Sequence, residues 1–324
     1  MHGFLATAGE SVLFECSLPW VMDLIAEGAG GELGPDDAPG VSLRIHVEAD
    51  RRPFETHGWE LLSRGAWRRR GEVVVENACT SGFDLHLRDT ADHAELTYRW
   101  RPPARERTAA RVLRSRFHLL ARAVLMQYPV LWWAGTRGRA PLHASACVAG
   151  GSTPLVTAQS GVGRSTLLLS ELAAGGQATA DNLAVGDGKT VWGLVEPIRV
   201  EGGSGRRMPH GRHESPLPHR ADSLVPDCIV VLERGPLDHA SVSACSPEGA
   251  ARSLVTSTYM AGELRRYWAF AATLAAGTGL GPAHPPITEV ASAFATKLSC
   301  FSLALGRRRD ARLSELLGAV EVAA

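Results

Sequence analysis

The sequence predicts a mixed α/β fold, with a β-rich region over residues 1–105 and a P-loop domain over 106–324. Three observations carry that expectation. Residues 1–100 break into short alternating or β-branched runs, punctuated by Gly, Pro and Asp. Beyond residue 140, strand-like runs alternate with helical ones, the order that builds layered α/β folds. Between one such strand and helix lies a small-residue loop, Ala158-Gln159-Ser160-Gly161-Val162-Gly163-Arg164-Ser165-Thr166.

The predicted amino-terminal strands are Val12–Cys16, Val41–Val47, Glu72–Glu76, Phe83–Leu87 and Glu95–Trp100, with Gly31–Gly40 as a turn-rich break. Trp20, Trp59, Trp67 and Trp100 are expected in the core, and no chemical constellation is visible there. A helix follows, about Arg107 to Tyr128. Leu113, Phe117, Leu120 and Val124 recur at helical spacing, while Arg111, Arg114, His118 and Arg122 fall on another face. That face reads as solvated, with an acidic partner as the alternative. Pro129 is expected to end the helix.

Leu142–Ala149 and Pro154–Ala158 read as two strands joined by Gly150-Gly151-Ser152. A helix over Ser165 to Ala174 stops at Gly175-Gly176, and a strand from Gln177 to Ala180 leads into Asp181-Asn182. Gly202–Arg220 reads as a mobile loop. Cys228–Leu232 reads as a buried strand. Helices near Glu263–Ala275 and Thr288–Leu298, a strand Cys300–Leu305 and a helix to about Leu317 complete the chain.

Composition narrows the function classes. With 45% hydrophobic residues over 324 positions, a large core is available. Thirty-four basic residues balance thirty-four acidic ones, so no whole-chain field points to nucleic acid or an anionic membrane. Six cysteines stand singly, which argues against a zinc ribbon or a redox dithiol and fits a reducing compartment. MHGFLATAGE has no basic start followed by an apolar stretch, unlike a signal peptide. The most apolar segment, Leu119 to Ala134, is interrupted by Arg122, Gln127 and Pro129, short of the roughly 20 apolar residues a membrane span needs. A soluble cytoplasmic protein is expected. Lys189 and Lys297 are the only lysines, a bias that looks compositional.

The loop at Ala158–Thr166 carries the chemistry. A phosphate loop reads G-x-x-x-x-G-K-[ST] between strand and helix. Small residues let backbone N–H groups curl toward phosphate oxygens, and the helix amino terminus adds its positive end. Gly161 and Gly163 supply that freedom, and Ser165 places a hydroxyl where a phosphate-bound Mg²⁺ sits. Two departures stand out: Ala158 replaces the first glycine, and Arg164 stands at the lysine position. Arginine keeps the charge, but its planar fork differs from an ammonium.

Two further features align with the loop. A carboxylate at Asp181 could hold Mg²⁺ or accept a hydroxyl proton, with an Asp-Asn turn as the alternative. Hairpin geometry would bring His143 toward the loop. His210, His213 and His219 hint at a metal, but their Gly/Pro-rich setting reads as a solvated, substrate-facing loop. Glu196 and Arg199 could contact a nucleotide or acceptor, or simply pair. Arg265 and Arg266 are candidates for the same neighbourhood.

His143-Ala144-Ser145, then Ser160-Gly161-Val162-Gly163-Arg164-Ser165, then Ala180-Asp181-Asn182 resembles the catalytic half of the HPr kinase/phosphorylase family. The likeness is closer to the HPr kinase-related serine kinases found with peptide natural-product genes, which have a small amino-terminal β region and a Leu-His-Ala-Ser strand. It covers roughly residues 108–235. It implies an HPr kinase-like carboxyl-terminal domain that uses ATP and Mg²⁺ to phosphorylate a Ser or Thr hydroxyl of a peptide or protein. Under it, Ala158, Ser160, Gly161, Val162, Gly163, Arg164, Ser165 and Thr166 bind the nucleotide. Ser165 and Asp181 hold the metal, and His143, Asp181 and Asn182 form the catalytic set. Self-association is also implied. Asn182 stands where the family has a second aspartate, and an amide cannot take a proton. An alternative therefore stays open: a degenerate, non-catalytic nucleotide-binding subunit that scaffolds or regulates a peptide-modifying assembly.

Overall fold

A computed structural model describes residues 1–35, 40–90, 93–202, 205–208, 211–308 and 311–323. The fold is mixed α/β, with several sheets, and divides into two compact units. No helix among the described residues is long and apolar enough to cross a membrane.

The first unit comprises Met1–Gly138, Arg199–Ser215 and Arg266–Pro285. Its strands are β1 (His2–Thr7), β2 (Glu10–Cys16), β3 (Leu43–Glu48), β4 (Glu60–Ser63), β5 (Ala66–Arg69), β6 (Glu72–Val75), β7 (Phe83–Asp89) and β8 (Ala94–Trp100). They form one sheet in the order β1-β2-β3-β8-β7-β6-β5-β4. The pairs β2–β3 and β3–β8 are parallel and the rest antiparallel. In β3 the alternation is clean: Leu43, Ile45 and Val47 are buried while Arg44, His46 and Glu48 are partly exposed.

Helix α1 (Pro19–Gly28) was not foreseen, yet its signal is in the sequence. Pro19 stands in the first turn, and Val21, Leu24, Ile25 and Gly28 bury one face. The expected single helix from Arg107 to Tyr128 is instead α2 (Ala104–Val112), α3 (Arg114–Arg122), a π-turn over Ala123–Gln127 and α4 (Tyr128–Thr136). Pro129 does not end the path. It sits in the first turn of α4, where its missing N–H costs nothing because the π-turn has already broken the ladder. The Tyr98 hydroxyl donates to the Val124 carbonyl in that turn at 2.7 Å.

The arginine face is not uniformly solvated. Arg122 is buried between Glu214, at 2.7 Å, and Glu27, at 3.0 Å. The tryptophans also differ from expectation. Trp20 is 37% exposed, and Trp59, Trp67 and Trp100 are only partly buried. The core belongs instead to Phe14, Ile25, Ile45, Leu85, Leu87 and Tyr98.

The second unit comprises Arg139–Ile198, Pro216–Arg265 and Pro286–Ala324. It begins with β9 (Ala140–Leu142), β10 (Ala144–Val148), β11 (Pro154–Ala158) and α5 (Arg164–Ala173), then β12 (Gln177–Ala178), β13 (Ala184–Gly186) and β14 (Val191–Gly193). Two short strands make a separate ribbon: β15 (Ile198–Val200) precedes the stretch Gly202–Arg220 expected to be a loop, and β16 (His213–Ser215), of the first unit, lies within it. Then come β17 (Ser223–Leu224), β18 (Cys228–Arg234), β19 (Ser241–Ala244), α6 (Pro247–Met260), α7 (Tyr267–Thr278, of the first unit), α8 (Ile287–Lys297), β20 (Ser299–Leu305) and α9 (Leu313–Ala323).

One sheet runs β12-β10-β11-β18-β20-β19, with β11, β18 and β20 parallel, and a second runs β17-β14-β13-β9. All five residues of β11 are buried, as expected of a strand covered on both faces. Helix α6 packs on β11, β18, β20 and α8. Its start is written as Ser246-Pro247-Glu248: the Ser246 hydroxyl accepts from the Gly249 N–H at 3.1 Å, with Pro247 at the first helical position.

Candidate functional site

The expected strand Leu142–Ala149 is two strands that belong to different sheets, and His143 is the break between them. β9 pairs with β13, whereas β10 turns back along β11. Side chains therefore satisfy the His143 backbone in place of a ladder. Its N–H donates to Thr258 Oγ1 at 3.0 Å, and its carbonyl accepts from Arg164 at 2.9 Å and Thr157 Oγ1 at 3.4 Å. Thr157 and Ser257 join through their hydroxyls at 2.7 Å. The pairing Ala144↔Thr157 sets His143 beside the end of β11, where the loop begins.

Between β11 and α5 the chain takes two conformations open mainly to glycine, at Gly161 (φ 82°) and Gly163 (φ 126°). The Val162 N–H closes a turn on the Gln159 carbonyl at 3.3 Å. Gly163 precedes α5 without any side-chain cap, and the first helical bond is Leu167 N–H to the Gly163 carbonyl. The amides of Arg164, Ser165 and Thr166 are thus the open donors of the helix amino end. Gln159, Ser160, Gly161 and Thr166 are exposed, and Val162, Gly163 and Ser165 are half-buried. Among the described residues, the Ser165 and Thr166 hydroxyls have no hydrogen-bond partner. Such a loop can hold an anion.

The Arg164 side chain does not face the loop mouth. It is buried, and its fork bonds the His143 carbonyl, His143 Nε2 at 3.0 Å and Asn182 Oδ1 at 3.1 Å. A guanidinium only donates, so Nε2 accepts and the neutral ring carries its proton on Nδ1. Burial first, and the Arg164 charge second, depress the His143 pKa to about 3. Burial also weighs against the Arg164 cation, while the carboxylates of Asp181, Glu196 and Glu263 support it.

Asp181 is buried beside this group. The turn that carries it is held by Glu196, whose Oε1 accepts from the N–H groups of Asn182 at 3.1 Å and Leu183 at 3.0 Å. Ser145 Oγ adds a short bond to the Ala180 carbonyl. Glu196 therefore positions Asp181 and Asn182 through their backbone, a role its sequence spacing did not announce.

The structure thus brings His143, Arg164, Asp181 and Asn182 together, with Ser165 on the adjoining helix turn. Other candidates fall elsewhere. Arg266 donates to the Cys79 carbonyl in the first unit, at 3.0 Å. His213 lies in β16, His219 takes a left-handed backbone at φ 49°, and His210 lies outside the described residues. Among the described residues, no group of three or more His, Cys, Asp or Glu could hold a metal ion by itself.

Three participants were missed. Ser257 and Thr258 are missed because α6 was not predicted, although its Ser-Pro-Glu start was a readable signal. Arg234 ends β18, exposed, and its guanidinium lies 3.6 Å from where a Cβ on Gly163 would stand. Its signal was an arginine just past a buried apolar strand, at the carboxyl end where open α/β sheets gather ligands.

No known protein family's model matches this chain, and no curated protein is detectably similar to it.

Proposed function

We propose that the second unit is a P-loop, HPr kinase-like domain that binds Mg-ATP at Ala158–Thr166 and transfers its γ-phosphoryl group to a Ser or Thr hydroxyl of a peptide or protein. The observation that carries this reading is the strand–loop–helix passage itself, with left-handed Gly161, Gly163 at φ 126° and open amides at the start of α5. The residues fit the phosphates. Backbone N–H groups supply donors, and Arg234 supplies a cation that no described residue engages.

Ser165 Oγ and Asp181 are the two protein groups suited to Mg²⁺, and phosphate oxygens would complete its shell. The metal would neutralise charge between the β- and γ-phosphates. With its Nε2 lone pair engaged by Arg164, His143 is a poor base, so Asp181 is the carboxylate left to accept the hydroxyl proton. Asn182 holds Arg164 and takes no proton.

The deciding experiment incubates the protein with labelled Mg-ATP and hydroxyl-bearing peptides encoded beside its gene. Label in a peptide, lost on Asp181→Ala, supports the reading. Nucleotide bound with no transfer to any peptide turns it toward the second reading, and no nucleotide binding at all defeats both. The second reading is a non-catalytic nucleotide-binding subunit. It is favoured by one observation, the Arg164 fork tied to His143 and Asn182.

A further inference from the structure

A groove of about 930 Å³ in the first unit lies between the end of β8 and the helices α2 and α3. That is within the roughly 300–1,000 Å³ of ordinary ligand pockets. Its floor is aromatic. Trp20 and Trp100 meet edge to face with centroids 5.4 Å apart, and Phe117 lies 5.3 Å from Trp100. Its walls carry Arg51, Arg107, Arg111 and Arg114, and among the described residues no carboxylate lines it. Among the described residues, Arg51, Arg111 and Arg114 have no ion-pair partner.

The helix that forms one wall is oddly unsupported. None of the nine residues of α2 is buried. Isolated helices shorter than about 12–15 residues are marginal in water, so α2 gains most from a partner laid against it. Val112 and Leu113, at the joint with α3, are 74% and 47% exposed.

We propose that this groove docks an acidic peptide segment of a partner protein. An aromatic or aliphatic side chain seats against Trp20, Trp100 and Phe117, and flanking carboxylates meet Arg51, Arg111 and Arg114. Arginine forks match carboxylates bidentately. Single-stranded nucleic acid also uses arginine and aromatic rings, but it stacks bases on open ring faces. Here the rings pack against one another, with interplanar angles of 69° and 56°, and the balanced whole-chain charge supplies no steering field for a polyanion. The inference rests on nothing in the nucleotide reading, because no residue of the loop takes part.

Fluorescence anisotropy on the full chain tests it, with labelled peptides of repeated Glu-Glu-Phe, Lys-Lys-Phe and Ser-Ser-Phe and with labelled oligo-dT. The Glu-Glu-Phe peptide is expected to bind at least about tenfold tighter than the others. Its affinity should fall as ionic strength approaches about 1 M, where the Debye length is about 3 Å. The double variant Arg111→Glu/Arg114→Glu should lose at least about tenfold for Glu-Glu-Phe and gain affinity for Lys-Lys-Phe, a swap that misfolding cannot produce. Should the double variant fail to fold, Arg51→Glu alone is read by the same swap. Equal binding of Glu-Glu-Phe to native and folded variant protein overturns the proposal. Tighter, arginine-dependent binding of oligo-dT overturns it in favour of nucleic acid.

Discussion

Arg164 holds His143 at two points, bonding its carbonyl at 2.9 Å and its ring Nε2 at 3.0 Å. Burial first, and this cation second, keep the histidine neutral, with its pKa depressed to about 3 against an ordinary 6.5. Between those values the unfolded chain binds a proton that the folded chain does not. The stabilisation is therefore complete above about pH 6.5 and declines as pH falls toward about 3, by about 1.4 kcal/mol per unit. Denaturant titrations across this window should show that slope, and His143→Gln should flatten it. An unchanged slope in the variant would count against this environment for His143.

Arg234, rather than Arg164, is expected to be the cation that meets a bound phosphate. Calorimetry should find ATP affinity reduced about tenfold or more in Arg234→Ala, the worth of one charge-assisted bond. Arg164→Lys should keep or raise affinity, because an ammonium cannot span His143 and Asn182 as the fork does. The opposite ranking would return Arg164 to the role the loop pattern suggests.

Asn182 separates enzyme from scaffold. If a second carboxylate is what the site lacks, Asn182→Asp should raise phosphoryl transfer, by up to the roughly 10²–10⁴-fold that general-base catalysis contributes. The new carboxylate would also face Arg164 directly. A native rate that the substitution leaves unchanged would assign the base to Asp181. No transfer by either form, with ATP bound, would leave the scaffold.

Glu196 is a positioning residue. Glu196→Ala leaves two amides without their acceptor, at a cost of about 1–3 kcal/mol for each that stays buried and unpaired. Glu196→Gln keeps an acceptor oxygen. Mg²⁺-dependent ATP binding should therefore fall in the alanine variant and return largely in the glutamine one. A purely structural role would lower the melting temperature and leave the Mg²⁺ dependence intact.

Tyr98→Phe tests the π-turn. The hydroxyl caps the Val124 carbonyl in a fully buried setting, so its loss should cost about 1–3 kcal/mol in urea unfolding. Nucleotide affinity should not change. A neutral result would mean that the turn rearranges to satisfy the carbonyl itself.

Much of the fold was legible because periodicity speaks where one face is buried. β3, β7, β8 and β11 alternate or run apolar as their surroundings require, and each was predicted within two residues at either end. The loop and α5 were legible for a different reason, since Gly161 and Gly163 mark backbone that other residues resist. What stayed hidden was whatever depends on a distant partner. Nothing local says that a strand breaks at His143, because the break is made by Thr258 and Arg164. The single strand expected over Leu142–Ala149 missed the change of sheet for that reason. Likewise, the arginine face of α3 could not be divided from sequence. Arg122 turns inward only because Glu27 and Glu214 arrive from elsewhere.

That last arrangement reaches into how the protein is made. The first unit is assembled from three stretches of chain, the last ending at Pro285. Arg122 and Glu214 are 92 positions apart, so at the roughly 5–20 residues per second of translation the carboxylate is synthesised some 5–20 seconds after the cation. During that interval the Arg122 cation has Glu27 but not yet Glu214 beside it, and the segment that carries α7 has yet to be synthesised. The amino-terminal half is therefore a dependent of the nascent chain's later stretches, and a holding chaperone has a defined window in which to act.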